Sequence, residues 1–170
     1  VHPVIISPER KCELDGNLLL FYTGVQRFSS EIQADTFSRP VDKIKQLKEM
    51  LKLVDEAEKI LTAKNRSLAD FGSLLDTTWK LKRGTGSKVS NSAIDDLYDQ
   101  AIKVGALGGK LLGAGGGGFL LFYCEKEKQP SLMKAMEKLM IVPFKFENEG
   151  AQVLYYSPTE YSPRKDIKLS

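Results

Sequence analysis

Apolar positions along this chain fall into two spacings. Short unbroken runs predict strands at Val4–Ser7, Leu18–Tyr22, Phe119–Tyr123, Phe144–Phe146 and Gln152–Tyr156. A polar turn follows the first run around Ser7-Pro8, and another at Glu149-Gly150 separates the last two. Recurrence at helical spacing predicts the rest. Ser29–Phe37 reads as a short helix or turn. Pro40 opens a long helix carrying Val41, Ile44, Leu47, Leu51, Val54 and Leu61 on one stripe. Ser67-x-x-Asp70 has the form of a capping box for a helix with Leu68, Phe71, Leu74, Leu75 and Trp79 on its apolar face. Lys82–Gly86 ends that helix as a basic, flexible loop. Ser92-x-x-Asp95 caps a helix bearing Ile94, Leu97, Tyr98 and Ala101, which Gly105 stops. Pro130–Met140 is amphipathic, with Leu132, Ala135, Met136 and Leu139 on one side. Phe119–Tyr123 is apolar on both faces and so reads as a central strand. Strands and helices do not alternate strictly. The expected class is therefore α+β, an antiparallel sheet of about four strands with helices mostly on one face.

Composition narrows this little. At 170 residues, 42% hydrophobic and 28% charged, the chain suits one globular domain with a polar tail, here drawn as residues 1–157 and 158–170. A net charge of +3 from interspersed residues argues against nucleic acid as a partner, and no stretch approaches membrane-spanning length. Cys12 and Cys124 lie in no metal or redox spacing, as expected of two inert thiols in a reducing cytoplasm. The single histidine, His2, leaves no material for a His-based triad. The apolar opening Val1–Ile6, without an initiator Met, reads as the interior of a longer polypeptide.

One stretch does change the picture. Residues 105–118 hold eight of the chain's 14 glycines, interleaved with Leu107, Leu111 and Leu112 rather than with the polar residues of a linker. Glycine at that density means that the backbone itself must turn, or must let another group come close. Gly113, Gly115 and Gly118 spell G-x-G-x-x-G, but a helix precedes and a strand follows, the reverse of the dinucleotide fingerprint. Gly109-Lys110 lacks both the spacing and the Ser/Thr of a P-loop. Two readings stay open: a loop whose amides cradle an anion, and a tight helix-to-strand connection packed closely.

Other anion-holding candidates surround it. Arg27, after the turn Thr23-Gly24, stands at the rim of the sheet, where a guanidinium grips phosphate or carboxylate, or is simply solvated. Trp79 belongs to the apolar stripe, while Lys82 and Arg83 either complement the helix dipole or offer cations to a ligand. Ser90, Asn91 and Ser92 are helix caps at a helix start that also suits an anion. No paired carboxylates, Cys/His cluster or nucleophile–base pair emerges, so the catalytic group is unknown and no metal ligand is assigned. The set suggests half of a phosphoryl-transfer site.

The run Gly108-Gly-Lys-Leu-Leu-Gly-Ala-Gly-Gly-Gly-Gly118 with the apolar strand after it resembles the C-terminal glycine motif of the GHMP small-molecule kinases. Ser90-Asn91 to Ile94-Asp95 resembles a substrate-side segment of their sugar-kinase branches. Asn17–Gly24 with Arg27, Trp79 with Lys82, and Gly105–Tyr123 are similar to the heptose 7-phosphate kinase branch. This resemblance covers nearly all of residues 1–156. It implies a ferredoxin-like C-terminal domain and transfer of a phosphoryl group from ATP, with Mg²⁺, to the anomeric hydroxyl of D-glycero-D-manno-heptose 7-phosphate. The backbone of Gly113, Ala114, Gly115, Gly116 and Gly117 would close over the nucleotide phosphates. Arg27 and Lys82 would hold the sugar phosphate, with Thr23 as polar neighbour. The nucleotide loop, the Mg²⁺ ligands and the usual catalytic Asp of that superfamily have no match in residues 1–170, so they are expected in an N-terminal domain acting as partner. The isolated chain is then expected to be inactive. A homodimer stays open, as do a kinase for another sugar such as fucose or galactose and a non-catalytic α+β ligand-binding module.

Overall fold

The computed structural model describes residues 3–24, 40–113, 116–147 and 150–153, with backbone alone for 40–43. Helix α1 (Pro8–Asn17) runs directly into strand β1 (Leu18–Tyr22). Helices α2 (Pro40–Thr62), α3 (Ala69–Arg83) and α4 (Ser92–Lys103) follow, then β2 (Gly108–Leu111), β3 (Phe119–Tyr123), α5 (Gln129–Ala135) and β4 (Met140–Ile141). The strands form one sheet in the order β2-β3-β1-β4, every neighbouring pair antiparallel. Helices intervene between β1 and β2 and between β3 and β4. That is the split β-α-β arrangement of ferredoxin-like folds, and it bears out the expected α+β class.

Alternation along the strands builds two cores. Leu19 and Phe21 of β1, Leu111 of β2, and Leu120 and Phe122 of β3 face Ile94, Tyr98 and Ala101 of α4, and Leu132 and Met136 beside α5. Their partners of opposite parity, Leu18, Leu121 and Tyr123, meet Leu14, Leu61, Phe71 and Leu75. Helix α3 packs along β2 and feeds both clusters, Trp79 into the first and Phe71 and Leu75 into the second. Trp79 is fully buried, so its packing role is borne out. β3 is indeed central, paired on both sides.

Helix α3 and strand β2 approach backbone to backbone. A Cβ on Gly108 would run into the carbonyl oxygen of Gly72 and stand 2.6 Å from the amide nitrogen of Asp76. A Cβ on Gly72 would lie 2.7 Å from the Tyr123 ring. Side chains at these positions would push helix and sheet apart.

Several expectations are corrected. Residues 3–7 form no strand, and Ile5 is 83% exposed. β1 pairs with β3 along its length and with β4 at Phe21 and Tyr22, and Val4–Ser7 belongs to neither ladder. The expected turn at Ser7-Pro8 is instead the start of α1. Ser7 Oγ accepts from Arg10 N at 3.3 Å, Pro8 fills the first helical position and Glu9 sits in the first turn. Arg10 fastens α1 by donating to the carbonyls of Ile60, Leu61 and Arg66 at 2.5–2.9 Å. The Ser67 capping box is not formed: Ser67 Oγ accepts from Ala69 N, and the Asp70 carboxylate pairs with Arg66 at 3.2 Å. At α4 the cap is Asn91 rather than Ser92, its Oδ1 accepting from Ile94 N at 3.0 Å. The helix expected to reach Met140 stops at Ala135, freeing Met140 and Ile141 to pair with Tyr22 and Phe21. Phe144–Phe146 is irregular chain outside the ladder, and Gln152 and Val153 lie in no strand. Ser29–Phe37, Leu154–Tyr156 and the tail from Pro158 lie outside the described residues.

Candidate functional site

The glycine-rich stretch splits into a strand and a loop. Gly105, at φ +113°, ends α4 as expected, and Leu107 N donates to Tyr123 O at 2.9 Å to start the pairing with β3. β2 then occupies Gly108–Leu111, a strand hidden inside the glycine run. Leu112 N donates to Phe119 O at 2.8 Å and closes the base of the loop that follows. Three of its glycines, Gly113 at φ +83°, Gly116 at φ +72° and Gly118 at φ +104°, adopt backbone that side chains resist.

Three polar side chains from separate parts of the chain grip this loop. Thr23, just beyond β1, donates through Oγ1 to Gly118 O at 2.9 Å and accepts from Gly118 N at 3.1 Å. Its own amide adds a bond to Gly118 O at 2.8 Å. Asn91, already the cap of α4, donates from Nδ2 to Gly116 O at 3.2 Å, while Gly116 N donates to Val89 O at 3.0 Å. Lys82, in the last turn of α3, donates from Nζ to Gly113 O at 2.7 Å and lies 3.5 Å from Leu111 O. Burial holds the Lys82 ammonium below the usual lysine range, and the like charge of Lys110 lowers it further.

The connection from α3 to α4 is anchored. Thr85 is buried and donates to Lys82 O at 2.7 Å. A cavity of about 550 Å³ opens here, lined by Lys80, Arg83, Gly84, Gly86, Ser87, Ser90 and Asp95. Asp95 accepts from Ser90 Oγ at 2.7 Å and pairs with Arg83 at 3.4 Å. Deeper in, Tyr98 donates to Asp76 at 2.8 Å; burial first, and then this carboxylate, raise its phenol well above the tyrosine range.

Among the sequence candidates, the structure brings Thr23 and Lys82 together with Gly113, Gly116 and Gly117 around one loop. Arg27, Ala114 and Gly115 lie outside the described residues. Gly116 N is engaged by Val89, whereas among the described residues the amides of Gly113 and Gly117 have no acceptor. Free amides beside a cationic side chain fit an anionic oxygen. Among the described residues no group of three or more His, Cys, Asp or Glu side chains is placed to hold a metal ion. No helix there is long and apolar enough to cross a membrane. The clamp from Asn91 and the nearness of Lys110 were missed in the sequence. Asn91 was legible as a cap, but its second bond reaches 25 residues onward.

Comparisons with known proteins agree with this fold. The family model described as "GHMP kinases C terminal" matches residues 50–141. The chain is 32% identical over 157 residues to D-glycero-alpha-D-manno-heptose 7-phosphate kinase of Campylobacter jejuni, covering 89% of this chain and 45% of that protein. It is 27% identical over 143 residues to the bifunctional fucokinase/GDP-fucose pyrophosphorylase of Arabidopsis thaliana, covering 81% of this chain and 13% of that one. Among solved structures, the mevalonate kinase of Methanococcus jannaschii superposes with a TM-score of 0.69 at 27% identity, over 84% of this chain and 44% of that one. The chain thus spans less than half the length of these relatives.

Proposed function

The chain belongs to the GHMP kinase C-terminal family, and on that premise we propose that it forms the C-terminal part of an ATP-dependent sugar kinase whose acceptor is D-glycero-D-manno-heptose 7-phosphate. The observation that carries this reading is the gripped glycine loop, with the Gly113 and Gly117 amides lacking an acceptor among the described residues and Lys82 bound to the Gly113 carbonyl. Phosphoryl transfer is mostly positioning and charge neutralisation, and these are the properties the loop offers.

ATP, with Mg²⁺ held by residues of another domain, would supply the γ-phosphoryl group. Within this chain the loop amides would orient phosphate oxygens, and their fixed dipoles need no reorganisation as charge shifts. Lys82 contributes a positive charge at the loop entrance. Thr23 fixes the exit of the loop through Gly118 and stands at the start of the segment that carries Arg27. Arg27 and Lys82 would hold the phosphate of the acceptor. The fucokinase relative keeps an unphosphorylated sugar as the alternative acceptor.

Phosphorus NMR on the full-length protein with ATP, Mg²⁺ and a panel of sugars tests the reading. A new anomeric phosphate signal with heptose 7-phosphate alone is expected. A signal with fucose alone would replace the acceptor, and no transfer to any sugar would leave a ligand-binding module. The 170-residue chain by itself is expected to give no turnover in the same assay.

A further inference from the structure

Lys110 stands apart from the other lysines near the loop. It lies on β2 between Gly109 and Leu111, half-buried, opposite Leu121 of β3. Lys82 reaches across from α3 to the same stretch, its Nζ within 3.5 Å of the carbonyl oxygen of Leu111, the next residue along. The Lys82 ammonium and the β2 position of Lys110 therefore lie at one edge of the glycine loop, near enough for the charge of Lys110 to act on Lys82. Among the described residues neither has a carboxylate partner; the ion pairs found elsewhere use Lys52, Arg66, Lys80 and Arg83. The nearby acids are committed, Asp76 to Tyr98 and Lys80, and Asp95 to Ser90 and Arg83. Like charges held together without a counter-ion cost stability. A carbonyl satisfies a lysine N–H but does not neutralise it. Just past the pair, the amide of Gly113 has no acceptor among the described residues.

We propose that Lys110 and Lys82 together form a subsite for a phosphate group, with Lys110 the cation that selects a phosphorylated ligand over an unphosphorylated one. This deepens the phosphoryl-transfer reading and rests on it for the choice of ligand. A phosphate dianion matches two adjacent point charges and accepts from the Gly113 amide as well. Lys82 is fixed by its carbonyl contacts, and among the described residues Lys110 has no hydrogen-bond or ion-pair partner. Two sources could bring the group, the phosphate carried by the acceptor sugar and the phosphates of the nucleotide.

The test compares the wild type with Lys110→Gln and Lys110→Arg. In the 170-residue chain, amide NMR shifts are followed during titration with inorganic phosphate, against chloride at equal ionic strength. Saturable shifts at Gly113 and Gly117 are expected, weakened tenfold or more in Lys110→Gln and held within threefold in Lys110→Arg. No saturable shift in the wild type, or equal affinity in Lys110→Gln, overturns the subsite. If Lys110→Gln lowers the melting temperature, Lys110→Met, which keeps the apolar stem, takes its place. In the full-length protein the same variants separate the two sources. A rise of tenfold or more in KM for the sugar phosphate, with KM for ATP unchanged, assigns the subsite to the acceptor; the reverse assigns it to the nucleotide. Phosphate saturation without any sugar-kinase turnover would sink the kinase reading and leave the subsite standing. Turnover with no effect of Lys110→Gln on either KM would sink the subsite alone.

Discussion

The glycine run contains two regions that use the same residue for opposite reasons. In β2, Gly108 and Gly109 have ordinary strand backbone and no room: a Cβ on Gly109 would lie 2.5 Å from Leu121 O, and one on Gly108 would collide with α3. In the loop, Gly113 has open space around it and a backbone at φ +83°. The first region is glycine because something is too close, the second because the chain must turn where side chains are strained. Of the two readings left open by the sequence, close packing is present at Gly108, and a few residues on comes a loop whose Gly113 and Gly117 amides have no acceptor among the described residues, as a loop that cradles an anion would need. Glycine density alone does not reveal which purpose a given position serves.

Substitutions should separate the two. Gly108→Ala should cost about 3 kcal/mol or more, because the atoms in the way are backbone and cannot rotate aside; urea unfolding that showed less than about 1 kcal/mol would mean that α3 and β2 part easily. Thr23→Val, which removes both hydroxyl bonds to Gly118, should cost about 1–2 kcal/mol and leave the sheet intact by circular dichroism. Gly113→Ala should cost about 1 kcal/mol from backbone strain alone, with hydrogen exchange accelerating at Leu112 and Gly116 but not within β2. The smallest effect is the titration of Lys82. Its folded-state pKa lies below the ordinary 10.5, so its charged form disfavours folding, and that penalty is relieved as pH rises from the folded-state value toward 10.5. The stability of the wild type relative to Lys82→Met should therefore shift in favour of the wild type as pH rises toward 10.5, read as the difference in urea midpoints.

What could be read from the sequence follows the same division between local and distant causes. β1 and β3 were legible to the residue because an apolar run flanked by polar residues needs no other information. The helices α2, α3 and α4 announced themselves by spacing. α1 has only Leu14 and Asn17 buried, so it carries no stripe to detect, although Ser7, Pro8 and Glu9 signalled its start. β2 has no β-branched residue and two glycines among its four positions, so propensity argued against it. It is a strand because β3 offers an edge and α3 tolerates no side chain at Gly108. At the site, Thr23, Lys82 and the glycines were found by residue type and place in the chain. Lys110 and the second role of Asn91 were not, because each depends on which segment lies across the loop.

The three grips on the loop have a consequence for when it acquires its shape. Thr23 is 95 residues from Gly118, Lys82 is 31 from Gly113 and Asn91 is 25 from Gly116. Together they require the β1–β3 pairing, α3 and α4 all to be in place, and contacts so distant along the chain are slow to close. The loop is therefore a late product of folding and not a portable module: a peptide of residues 105–123 would carry every glycine of the run and none of the side chains that give it form.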